Sequence, residues 1–188
     1  MALDNGIDIT SQLQGGAPNN SYTVTTQQTG ASYGFPLNSS TGYYTSNNNG
    51  VGNSAAVCRI NFNLETDVVV TIQYINYAEA TYDYGIFGQI DTALGTTYST
   101  DSNPYLSCGT NAYNLSTPQT ITYNISAGTH FIDIKYRKDS GVDSYNDTLQ
   151  WKIISMEATG TSGSYTYTLT NINQKHSLIF VFGNVDFY

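Results

Sequence analysis

The sequence predicts an all-β protein: an antiparallel β-sandwich of jelly-roll-like type, with a C-terminal β-hairpin extension. Three observations carry this. Apolar residues recur at every second position in run after run, and no stretch holds the 3.6-residue period of an amphipathic helix. Clusters of Asn, Asp, Ser, Gly and Pro separate the runs. The 17 Tyr, 7 Phe and many β-branched residues argue against a disordered chain and favour pleated, half-buried surfaces.

In chain order, residues 1–20, ending in "QGGAPNN", read as an arm or linker. The sandwich is expected over 21–155. "VCRINFNLE" places Cys58, Ile60, Phe62 and Leu64 on one face, against Arg59, Asn61, Asn63 and Glu65. "VVVTIQYI" points Val70, Ile72 and Tyr74 one way. "ITYNI" does the same with Ile121, Tyr123 and Ile125. "HFIDIKYRK" sets Ile132, Ile134 and Tyr136 against Phe131, Asp133, Lys135 and Arg137, and "TLQWKII" sets Leu149, Trp151 and Ile153 inward. Residues 95–118 carry the weakest pattern and read as a long loop with one short edge strand. The turns fall at "NNNGVGN", "DSNP", "SAGT" and "KDSGVDSYND".

Residues 156–188 form a third segment. "GTSGS" is a flexible joint, and two strands are expected around a turn at Asn171–Lys175. The last strand is apolar on both sides, with Leu178, Phe180 and Phe182 on one and Ile179 and Val181 on the other. A lone hairpin of this kind is marginal in water and exposes a sticky edge. The expectation is that it is covered by the sandwich, by another copy in a homo-oligomer or by further sequence, with Leu178, Phe180 and Phe182 as assembly residues.

Charge narrows the function. A net charge of −8 with six Lys plus Arg does not build a nucleic-acid groove, which needs clustered cations, and does not suit an anionic membrane surface. No run is long and apolar enough for membrane insertion. "MALDNGIDIT" lacks the basic and apolar regions of a secretory signal, so either a signal has been removed or the protein never used that route, and a protein made in the cytoplasm and released by lysis fits the second case. Cys58 and Cys108 are compatible with one disulfide or two thiols, and Cys58 alternates with core residues like a small buried hydrophobe. Neither cysteine has metal-type spacing with His, and no cofactor is expected.

Three segments carry a family resemblance: "GYYTSNNNGVGNSAAVCRINF", "INYAEATYDYGIFGQID" and "AGTHFIDIKYRKDSGVDSYNDTLQWKI". Together, over about residues 42–154, they resemble β-sandwich modules in structural proteins of tailed phages and prophages of gut bacteria. Trp151 stands where Phe is usual in those modules. The last segment is similar to short bacterial repeats, with Lys175 where an acidic residue is usual. The resemblance implies a virion appendage part, such as a tail or head fibre; the expectation is a non-enzymatic protein, since no carboxylate pair or nucleophile has an identifiable partner, that assembles with other virion proteins. The alternative is a carbohydrate-binding or adhesin module of a secreted, extracellular bacterial protein.

The candidate ligand site is "AEATYDYG", with Glu79, Tyr82, Asp83 and Tyr84. Amphipathic rings stack on sugar faces, which makes host-surface glycans the sharper reading. A carboxylate pair also suggests acid–base cleavage of a glycoside, but Glu79 and Asp83 have no identifiable second cluster or pocket. The structural alternative is a rim at which both carboxylates accept backbone N–H bonds and pair with Arg59 or Lys135. Asp139, Asp143 and Asp147 offer oxygens to calcium, yet their spacing is not that of an EF-hand, and Asx turns explain them without metal. His130 and His176 stand far apart with no motif around them. No catalytic residue is expected.

Overall fold

The computed structural model describes residues 2–4, 7–8, 13–14, 18–79, 81–108, 117–141, 147–159, 168–169 and 178–180. Among them there is no helix, so none long and apolar enough to cross a membrane. The chain divides into two compact units, Asn19–Gly160 and the paired ends Met1–Pro18 with Thr161–Tyr188.

The larger unit is an antiparallel β-sandwich. Its strands are β4 (Ser21–Thr25), β5 (Leu37–Asn38), β6 (Tyr43–Thr45), β7 (Ser54–Leu64), β8 (Val68–Tyr77), β9 (Tyr84–Phe87), β10 (Leu106–Cys108), β11 (Gln119–Ile125), β12 (Gly128–Lys138) and β13 (Thr148–Ala158). One sheet runs β10-β9-β12-β7-β4 and the other β11-β8-β13-β6-β5. Long strands with matched alternation hold the register. β12 lies along β7 from Gly128 opposite Leu64 to Lys138 opposite Ser54. β13 lies along β8, with a bulge between Ile153 and Ser155 that turns Ile154 to solvent.

The core forms where the inward faces meet. Cys58, Ile60, Phe62, Val70, Ile72, Tyr74, Tyr123, Ile132, Ile134, Tyr136, Leu149 and Trp151 are all buried in one cluster, as the alternation predicts. Trp151 stacks on Tyr44 at 4.6 Å and 17°. Cys58 and Cys108 are both buried free thiols, with no disulfide between them.

The outer face of the first sheet departs from simple alternation. The segment after β4 folds back over β7: Gln28 N–H donates to the Val57 carbonyl, and Val57 N–H donates to that of Tyr33. Ala31, Ala55 and Val57 make a second, small apolar cluster there. Gly34 lets this segment close up, because a Cβ would run into the Thr26 carbonyl. Residues 88–101 cover the β12 end of the same face, so Asp133 and Lys135 are buried instead of solvated. Both acquire partners. Asp133 accepts both Nε (2.7 Å) and a terminal nitrogen (2.9 Å) of Arg59, together with Leu94 N–H. Lys135 Nζ lies 2.7 Å from Asp101 and donates to the Ser99 carbonyl.

In the smaller unit, β1 (Ala2–Asp4) pairs with β2 (Ile7–Asp8) and with β15 (Leu178–Phe180), and β3 (Leu13–Gln14) pairs with β14 (Thr168–Leu169). Both C-terminal strands thus find backbone partners in the N-terminal arm of the same chain. Phe182 and the turn expected at Asn171–Lys175 lie outside the described residues.

Candidate functional site

The tyrosine-rich corner joins β8 to β9. Its turn is closed by the Glu79 carbonyl, which accepts Tyr82 N–H (3.4 Å) and Asp83 N–H (3.1 Å). Thr81 takes a left-handed φ of 72°, and its carbonyl accepts the Tyr84 hydroxyl at 2.8 Å. This geometry separates the four candidate residues. Tyr82 sits at the tip, 54% exposed. Glu79 and Tyr84 are half-buried, and Asp83 is turned fully inward.

Tyr84 faces outward beside Arg137, its cross-strand partner in the β9–β12 ladder. The guanidinium lies over the Tyr84 ring at 4.6 Å and over the Tyr98 ring at 4.9 Å. Two rings gripping one planar cation make a rigid shelf, because each contact restrains the others. Beyond Tyr98 opens a cavity of about 240 Å³ bordered by Tyr33, Val51, Asn53 and Thr97. A second cavity of about 210 Å³ lies beside Tyr105 and Tyr123, whose rings stack at 4.5 Å. Both are smaller than the roughly 300–1,000 Å³ of sites that engulf a small molecule. They suit a ligand that lies across a surface.

Asp83 does not face a ligand, and its partners are not Arg59 or Lys135, which are committed to Asp133 and Asp101. It accepts Asp139 N–H at 2.8 Å and lies 3.9 Å from Lys138 Nζ, which is itself 2.9 Å from Asp147. Desolvation raises the Asp83 carboxyl to about 6, with Asp147 adding to the rise and the Asp139 N–H and Lys138 opposing it. The side chains of Asp83, Lys138 and Asp147 are all 0% exposed. A signal for this cluster exists in the sequence. Lys138 continues the inward parity of Ile134 and Tyr136, Asp147 that of Leu149 and Trp151, and Asp83 that of Gly85 and Phe87. Each charge occupies the next core position at one end of the sandwich.

The calcium reading divides in the same way. Asp147 is engaged with Lys138, Asp139 Oδ1 accepts Gly141 N–H at 2.6 Å in an Asx turn, and Asp143 lies outside the described residues.

His130 has neighbours the sequence did not disclose. Its Nδ1 lies 2.7 Å from Asp91, and its Nε2 lies 3.3 Å from the Ser126 hydroxyl. Burial raises the Asp91 carboxyl, but the His130 and Phe131 N–H bonds outweigh that and hold it below the usual range. Nucleophile, base and orienting acid are in sequence, yet an acyl-transfer site also needs oxyanion donors. The N–H that follows Ser126, that of Ala127, is occupied by Asp67 at 2.8 Å. Asp91 and Ser126 stand in open solvent, so the cluster ties a hairpin to the neighbouring loop. His176 lies outside the described residues.

No family model and no curated protein matches the sequence. Among solved structures, the chain is similar to "CBM35 from Cellvibrio japonicus Abf62", at 18% identity over 73% of this chain and 97% of that one. The TM-score is 0.32, too loose a superposition for any functional inference.

Proposed function

We propose that this chain is a non-enzymatic structural module of a phage virion appendage whose sandwich contacts host-surface glycans. The observation that carries the glycan contact is the exposed Tyr82 beside the Tyr84–Arg137–Tyr98 shelf. A sugar ring offers a C–H face to a tyrosine and hydroxyls to polar groups around it, and a shallow shelf accepts a ring without enclosing it. The virion role rests on the resemblance of residues 42–154, and with it the homo-oligomer and the contacts with other virion proteins. The non-enzymatic reading is supported by the inward-facing Asp83 carboxyl and by the occupied N–H after Ser126.

The test is a glycan array of host capsular and wall polysaccharides, followed by titration calorimetry on any hit. Binding should fall at least tenfold in Tyr82→Ala with the melting temperature unchanged, and Tyr84→Ala should weaken it further. Unaltered binding in both variants would remove the shelf from the proposal. Mass spectrometry of purified virions, with the chain absent from every particle, would remove the virion role and leave the secreted adhesin.

A further inference from the structure

We propose that Lys138 and Asp147 condense into an intramolecular amide, with the Asp83 carboxyl as the proton shuttle for the reaction. The structure places the two reacting groups in contact. Three features point to it: contact, dryness and a third acid.

The Lys138 nitrogen lies 2.9 Å from an Asp147 carboxylate oxygen, and both side chains are fully buried. From such a contact a small rotation brings nitrogen and carboxyl carbon to a near-attack separation of roughly 3–3.5 Å. Held there, the two groups react as one molecule, which removes the entropic barrier that prevents amines and acids from condensing in water. Dryness acts in the same direction. A buried ammonium and carboxylate each carry a desolvation penalty, and an amide carries no charge.

Asp83 supplies the missing acid. Its Oδ2 lies 3.9 Å from the Lys138 nitrogen, and the Asp147 carboxyl is near enough to help raise its pKa. Burial first, then Asp147, holds it protonated up to about pH 6, so it can donate where an exposed aspartate could not. Asp139 N–H fixes its other oxygen at 2.8 Å.

The step balances without an outside reagent. Lys138 gives a proton to Asp147, leaving an amine and a carboxylic acid. The amine nitrogen attacks the Asp147 carboxyl carbon, and an N–C bond forms. Asp83 protonates the departing hydroxyl, the C–O bond breaks, and one water leaves. Asp83 then recovers a proton from the amide nitrogen and ends as it began. The product joins the last residue of β12 to the residue just before β13, and so links the two sheets.

The experiment is the intact mass of the full-length chain under denaturing conditions, with tryptic mapping. The expected mass is one water below that of the sequence. Cleavage after Lys138 should fail, and the peptide spanning 138–152 should give no fragments from within 138–147. Lys138→Arg keeps the charge but cannot condense, and Asp83→Asn removes the acid, so each should have its full sequence mass. A wild-type chain at full mass overturns the proposal whether or not either variant folds. A water loss that persists in Lys138→Arg, or a bond mapped to Asp83 instead of Asp147, overturns it equally.

Discussion

Trp151 is the single tryptophan of the chain, and its removal tests the sandwich at its centre. The indole is 0% exposed and stacked on Tyr44, which pairs with it across the β13–β6 ladder. Trp151→Ala loses the transfer free energy of a large ring and leaves a cavity between sheets whose backbones are fixed by long ladders, at a cost of about 3–5 kcal/mol. Loss of the ring stacking removes about 0.5–1.5 kcal/mol more in principle, partly counted in the first figure. For a domain of this size each kcal/mol moves the midpoint by about 2–4 °C, so a fall of roughly 6–20 °C is expected. Trp151→Phe keeps most of the ring and should cost about half as much or less. Thermal melts followed by far-UV circular dichroism measure both. In the wild type, tryptophan emission should start blue and shift red in the same transition. A midpoint lowered by less than about 2 °C in the alanine variant, below the loss expected for even 1 kcal/mol, would refute the placement of this ring in the core.

Other outcomes follow from the buried charges and thiols. Asp101→Ala strands the Lys135 ammonium, whose neutral form burial already favours, and should cost about 3–5 kcal/mol in urea titrations; replacing both partners, Lys135→Met with Asp101→Leu, should be close to neutral. The Asp83 carboxyl has a folded value near 6, above its ordinary 3.8, so it binds more protons folded than unfolded. Its contribution is therefore fully present below 3.8 and lost as pH rises through about 6, and Asp83→Asn should flatten that part of the urea-midpoint profile against pH. Cys58 is pushed well up by burial and Cys108 up to about 11, so a thiol reagent at neutral pH should label neither in the native protein and both in urea. Rapid native labelling of Cys58 would contradict its burial.

The parts of the fold set by local pattern could be read from the sequence. Alternation in "VCRINFNLE", "HFIDIKYRK" and "TLQWKII" places the inner faces, because side-chain direction in a strand has a period of two whatever else happens. Alternation does not say whether the second face meets water or protein. Asp133 and Lys135 have the parity of a solvated face, and their burial depends on polar loops at 26–35 and 88–101 that carry no periodic signal. The pairing of β1 with β15 joins opposite ends of the chain, and no local pattern encodes a partner that remote. At the site, the corner was legible as a cluster of rings and acids, while their division into Tyr82 outward and Asp83 inward follows only when the parity of Gly85 and Phe87 is carried back through the corner. Tyr98 sits in a long loop and reaches Arg137 only through tertiary packing.

The sandwich uses its cations internally. Arg59 is clasped by Asp133 and lies over Phe131, Lys135 and Lys138 are buried against aspartates, Arg137 is held between tyrosines, and Lys152 lies over Tyr43. Of the six Lys and Arg of the chain, only Lys175 lies outside the described residues. Little positive charge then remains to offset the acidic groups that face solvent. In dilute buffer, where the Debye length grows well past about 10 Å, neighbouring copies repel one another over their whole surface. Added salt collapses that field, and close packing of copies becomes a matter of ionic strength as well as of shape.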